Sequence, residues 1–169
     1  MRTVKELAKE VLAYLDQESI PSAAVVRVRN ACLRELAPAQ PVVVEKRVAE
    51  ALSILQRLGL PTSRLAAFTL LAFVQVGVDQ TWDEAQRKSL RLHDILAWIG
   101  EQYGVHYAEN TRESLRRDVI VPMIQAGFLE RNPDQPGLPP NHPKNHYAIH
   151  ASVLEKIKQP GDMFRSFTR

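Results

Sequence analysis

The chain has 169 residues, of which 45% are hydrophobic and 24% charged, and its net charge is +3 with neutral histidines. That balance fits one ordinary domain, or one domain plus a helical appendage, and excludes a disordered polyelectrolyte. One Cys excludes an internal disulfide and a Cys-rich zinc site, and no apolar run reaches the roughly 20 residues of a membrane helix.

The amphipathic, acid-containing start is not a signal peptide, so a cytoplasmic location is expected. Val4, Leu7, Ala8, Val11, Leu12 and Leu15 recur at helical spacing. Ile20-Pro21-Ser22 breaks the pattern, and a second helix carries Val25, Val28, Cys32 and Leu36 as far as Pro38 and Pro41. A third places Val44, Val48, Ala51, Leu52, Leu55 and Leu58 in register before the stop at Gly59 and Pro61. Residues 63–76 are apolar almost all round, which predicts a helix central to the core.

Thr81-Trp82-Asp83-Glu84 has the capping-box pattern and opens a short helix. The next helix covers residues 92–103, with Leu92, Ile95, Leu96 and Ile99 as its inner face. Asn110-Thr111-Arg112-Glu113 is a second capping-box pattern, and its helix is expected to reach residue 125 or 126. Residues 128–131 read as a strand, and His146-Tyr147-Ala148-Ile149-His150 alternates as a second. Between them, residues 132–143 hold five of the 11 prolines and exclude regular structure. Residues 151–158 form a last short helix.

Helix, helix, helix, strand, Pro-rich loop, strand is the order of a winged helix-turn-helix. The predicted fold is therefore mainly α. A helical N-terminal bundle (1–60) precedes a winged helix-turn-helix with a two-stranded β-wing (61–150), and a C-terminal helix or linker follows (151–169).

The helix from residue 111 is the candidate recognition helix. Steps of about 100° put Leu115, Val119, Met123 and Ala126 on the core face. Glu113, Ser114 and Arg117 then point outward, with Arg112 and Arg116 on one flank. Arg can donate two parallel bonds to guanine O6 and N7, Glu can accept from cytosine N4, and Ser can do either. Asn110 and Thr111, at the helix start, suit a phosphate. A solvated face with Glu113–Arg117 support is the bland alternative for these residues. Val121 and Ile124 also project outward, and Pro122 removes a helix hydrogen bond, so a kink is expected there. On the wing, Arg131 and Lys144 suit phosphates, and Asn145, Asn141 and His142 suit further polar contacts. A rigid hairpin without a partner is the competing reading.

Other constellations carry less. His142, His146 and His150 are spaced four apart, roughly 13 Å on extended chain, too far for neighbours to chelate one zinc. Cys32, Trp98, Tyr103 and Tyr107 read as packing residues. No phosphate loop of the G-x-x-x-x-G-K type occurs.

The run E-N-T-R-E-S-L-R-R (109–117) is followed by Q-A-G (125–127), N-P-D-Q-P (132–136), N-H-P-K (141–144) and Tyr147. Upstream stand R-V-A-E-A-L-S-I-L-Q-R-L-G-L-P (47–61), T-L-L-A (69–72) and W-D-E-A (82–85). Together these resemble the helix-turn-helix domain of the BsuBI/PstI family of type II restriction endonucleases, over about residues 45–155. The resemblance implies a bacterial restriction system, a palindromic double-stranded DNA target, and a separate C-terminal nuclease domain of the PD-(D/E)xK type using Mg²⁺; a homodimer would suit such a two-fold site. No Asp or Glu here has a Lys two positions later. No catalytic residue, metal site or cofactor is therefore expected within this chain. The expected function is sequence-specific duplex binding without catalysis. A stand-alone regulator of a restriction or defence locus and a winged-helix protein-interaction domain remain as alternatives. The charge distribution favours the C-terminal third, which carries 9 basic and 6 acidic residues from position 111 onward.

Overall fold

The structure, a computed structural model, describes residues 4–17, 28 and 40–158. Two compact units are distinguished, residues 1–45 and 46–169. In the first, helix α1 (Val4–Gln17) buries Ala8 and leaves Leu7 and Tyr14 exposed. The helix expected over residues 22–36 falls outside the described residues except at Val28, which is helical and exposed.

Helix α2 (Gln40–Arg57) buries Val44, Val48, Ala51, Ile54 and Leu55, close to the predicted stripe. Pro41, named where the preceding helix is expected to stop, lies in its first turn. There the missing N–H is no loss, because first-turn amides have no intrahelical acceptor. Helix α3 (Arg64–Val74) starts at Ser63, whose Oγ accepts from the Ala66 amide at 3.1 Å. Every residue from Ala66 to Val74 is buried, so α3 is the axis of the core, as its all-round apolar sequence predicts. Its buried Thr69 is satisfied by donating to Leu65 O at 2.6 Å.

Thr81-Trp82-Asp83-Glu84 makes one 3₁₀ turn (Trp82–Glu84) rather than an α-helix. Glu84 accepts from the Thr81 amide at 2.7 Å, and the Trp82 indole donates to Glu50 of α2 at 2.8 Å. Helix α4 (Leu92–Tyr103) packs Ile95, Ile99 and Tyr103 inward. Leu92 and Leu96, also expected inside, are only half-buried. Gly104 ends α4 at φ 66°, a left-handed conformation that costs glycine little.

The candidate recognition helix is not one regular α-helix. It comprises α5 (Thr111–Leu115), a π turn (Arg116–Ile120) and α6 (Val121–Gln125). Pro122 has no N–H to bond back toward residue 118, and its ring crowds the carbonyl there. The widened turn directly before it accommodates both effects. The register shifts as a result: Leu115, Val119 and Met123 are buried as predicted, Ile120 joins them, and Ala126 is exposed instead.

Strands β1 (Leu129–Arg131) and β2 (Tyr147–Ile149) pair antiparallel, with Leu129 opposite Ile149. The alternation expected of β2 is absent, since Tyr147, Ala148 and Ile149 are all buried. A further pairing explains this. Leu90 exchanges two backbone hydrogen bonds with Tyr147, at 2.9 and 2.8 Å, along the other edge of β2. β2 is thus central, and it packs against α3. Helix α7 (Ala151–Lys158) buries Leu154 and Ile157 and packs near the 3₁₀ turn. The described chain is a mainly helical bundle followed by a short winged helix-turn-helix with a two-stranded antiparallel sheet.

Candidate nucleic-acid interface

The start of α5 has no side-chain cap. Asn110 is itself in a helical conformation, and the amides of Thr111, Arg112 and Glu113 bond to the carbonyls of residues 108, 109 and 110. The preceding turn has satisfied those donors, so the predicted capping box does not form. Glu113 is turned to Arg116 instead, at 3.0 Å. That guanidinium holds the Glu113 carboxyl below its ordinary range, chiefly by hydrogen bonding. Arg112 pairs with Glu109 in the same i,i+3 manner. Arg117 pairs with its neighbour Asp118, its Nε donating to Oδ1 at 2.7 Å. The three arginines of this segment are therefore each matched by a carboxylate. Arg117 and Glu113 are exposed and Ser114 is half-buried. Asn110 and Arg112 are exposed, and Thr111 and Arg116 half-buried.

The wing loop is built on two asparagines. Asn132 is fully buried at φ 47°, a left-handed conformation that Asn tolerates. Its Oδ1 accepts from the His146 amide at 2.9 Å, and its Nδ2 donates to Asn145 Oδ1 at 2.7 Å. Asn145 Nδ2 in turn donates to the carbonyls of Pro139 and Pro140, at 3.0 and 2.7 Å. The Asn145 side chain, expected as an outward contact, is thus turned into the loop and staples it. Successive turns follow, with the amides of Gln135, Leu138 and His142 each bonded three residues back. His146 Nδ1 meets Lys144 O at 2.9 Å and its Nε2 meets Asp134. These two contacts, the carbonyl first, raise the His146 pKa above its ordinary value. Arg131 and Lys144 lie exposed at the two sides of the hairpin, with no ion-pair partner among the described residues.

Between helix start and wing lies a cleft of about 670 Å³. Asn110, Arg112, Glu113 and Arg116 form one wall, and Pro140, Asn141, His142 and Tyr147 the other. Arg91 and His93, at the start of α4, also line it. Sequence reading missed these two because only the Leu90–Tyr147 bridge brings them beside the wing. Among the described residues no group of His, Cys, Asp or Glu is arranged to hold a metal.

A family model described as the BsuBI/PstI restriction endonuclease HTH domain matches residues 45–165. The chain belongs to that family. The match takes in α2 from residue 45 and all of α3 to α7, and so the helix start, the wing and the cleft. Type II restriction enzyme BsuBI of Bacillus subtilis is 36% identical over 118 residues, covering 68% of this chain. Type II restriction enzyme AplI of Arthrospira platensis is 30% identical over 121 residues, covering 70% of this chain. A solved structure, that of SdaI restriction endonuclease, superposes with a TM-score of 0.65 at 26% identity and covers 69% of this chain. The matched part is 37% of the length of each curated relative and 38% of the SdaI chain. The BsuBI/PstI-type domain described here is thus a winged helix related to those of type II restriction enzymes.

Proposed function

We propose that this domain binds double-stranded DNA sequence-specifically, as the target-recognition part of a type II restriction endonuclease. One observation carries the reading. A helix edge with exposed Arg117 and Glu113 and half-buried Ser114 stands beside a stapled wing, whose Arg131 and Lys144 are free for phosphates. In this reading α5 and the π turn enter the major groove. Arg117 donates to a guanine, and Ser114 and Glu113 meet neighbouring base edges. Arg112, Arg116, Asn110 and Thr111 hold the backbone strand that lies along the cleft, and Arg131 and Lys144 hold its flank. Asn145 acts by fixing the shape of the loop. Two copies of the chain occupy the halves of a palindromic site, in a bacterial cytoplasm. Strand cutting belongs to a Mg²⁺-dependent nuclease domain outside these residues, since none of the carboxylates here stands two before a Lys.

Selection from random duplexes, read by sequencing, gives the target, and anisotropy against salt gives the contact number. The four cations placed on phosphates, Arg112, Arg116, Arg131 and Lys144, correspond to a slope of log K on log salt of about −3.6. No duplex binding at low salt refutes the reading. The matched charges at the helix start favour a second reading, a protein-interaction domain, for which duplex affinity is absent. Sequence-specific binding that controls transcription of a restriction locus, without any associated nuclease, would instead identify a regulator.

A further inference from the structure

Arg117 and Asp118 form a side-on pair, with Nε donating to Oδ1 at 2.7 Å and Nη2 to Oδ2 at 3.0 Å. Adjacent residues of a regular α-helix do not face one another. Both residues lie in the π turn, whose i→i+5 bonding alters the angular spacing of side chains. Arg112 and Arg116, by contrast, make ordinary i,i+3 pairs. The side-on geometry has a chemical consequence. A guanidinium is a rigid planar fork of five N–H donors. Asp118 takes the Nε–H and one Nη2–H. The Nη1 group and the other Nη2–H form the end-on edge, which the acid leaves free. A pair of parallel donors of that kind is what guanine O6 and N7 accept. Both side chains are open to solvent, at 68% and 56% exposure, so a duplex can reach that edge without moving the acid.

We propose that Asp118 is a specificity-determining positioning residue, which holds the Arg117 guanidinium with its outer edge toward a base pair and offsets its charge toward phosphate. The inference rests on the duplex-recognition reading above. Two effects follow from one contact. A guanidinium ordered before binding loses less side-chain freedom when the base contact forms. A charge-balanced pair also attracts phosphates weakly, and phosphate contacts supply essentially all non-target affinity. Asp118 thus favours target over non-target DNA while touching neither.

The test uses the 169-residue chain and anisotropy on three kinds of duplex: the selected target, that target with each base pair changed in turn, and a scrambled duplex of equal length. Arg117→Ala identifies the base pair that Arg117 reads, by a loss of preference of about 5- to 150-fold there. Asp118→Ala is expected to lose most of the preference at that same base pair. It also binds the scrambled duplex more tightly, with a salt slope steeper by about 0.9. Asp118→Asn keeps an acceptor without the charge, so it shows the steeper slope and retains part of the preference. The double variant loses no more preference than Arg117→Ala alone. Wild-type preference in Asp118→Ala at that base pair overturns the inference, as do additive losses in the double variant. A wild-type chain that binds none of the duplexes overturns the recognition reading itself, and this inference with it.

Discussion

Replacing Asn145 by Ala separates a staple from a DNA contact. The substitution removes three hydrogen bonds: one accepted from Asn132 Nδ2 at 2.7 Å and two donated to Pro139 and Pro140 carbonyls at 3.0 and 2.7 Å. Each is worth about 0.5–1.5 kcal/mol net. Asn132 is fully buried, so its abandoned Nδ2 adds the desolvation cost of an unmade bond, about 1–3 kcal/mol. The two carbonyls lie at the exposed loop, where water replaces the lost donors and recovers part of the total. The expected loss is therefore about 2–4 kcal/mol, or a fall in melting temperature of roughly 5–15 °C. Urea and thermal unfolding followed by circular dichroism measure it. Lys144→Ala serves as the control, because its exposed ammonium has no ion-pair partner among the described residues and its removal leaves stability within about 0.5 kcal/mol. The reasoning is refuted if Asn145→Ala unfolds like wild type while losing duplex affinity, because Asn145 would then act at the DNA.

Lys144→Ala is also expected to weaken all duplexes alike and to flatten the salt slope by about 0.9, measured by anisotropy from low to moderate salt. Ile120→Ala should cost about 2–5 kcal/mol in urea unfolding, because the π turn buries Ile120 fully, whereas Val121→Ala, at 38% exposure, should cost far less. A regular helix with Ile120 outside the core would give the reverse. The Asp134–His146 contact should make wing stability depend on pH. His146 has a pKa raised above 6.5, so its contribution is complete below pH 6.5 and is lost as pH rises through the higher folded value. Asp134 has a pKa lowered below 3.8 by its hydrogen bond to His146, so its contribution is complete above pH 3.8 and is lost as pH falls through the lower folded value. The stability difference between wild type and Asp134→Asn should therefore be greatest between these two ordinary values and shrink on both sides; a difference that is flat from pH 3 to pH 9 contradicts the coupling.

Apolar periodicity carried most of the fold. The stripe of α2 and the strand–loop–strand ending are readable because burial on one face imposes a period on the sequence, and α3 is readable as an unbroken apolar run because it is buried all round. The features that were not readable depend on single residues or on distant ones. Leu90 contributes one bridging residue, too short to leave any alternation. The π turn leaves only Pro122 as a local sign, and proline signals a disturbance without saying how the chain absorbs it. Asn145 resembles any polar loop residue, and its inward aim depends on Asn132, 13 positions away. At the helix start the composition was legible but the pairing was not. Arg112, Arg116 and Arg117 are plain in the sequence, whereas their carboxylate partners follow from the turn before α5 and the π turn after it.

The stitched base of the wing has a consequence for how such domains diversify. Asn132, Asn145 and the Leu90–Tyr147 bridge fix both ends of the hairpin to the core, while the tip around Gly137 meets nothing within 4 Å of an added side chain. Residues can be inserted at that tip without altering the register of β1 against β2. Doubling the length of a flexible loop costs only about 0.6 kcal/mol of closure entropy. The tip is therefore a replaceable cassette, free to change in length and sequence while the helix beside it keeps its place.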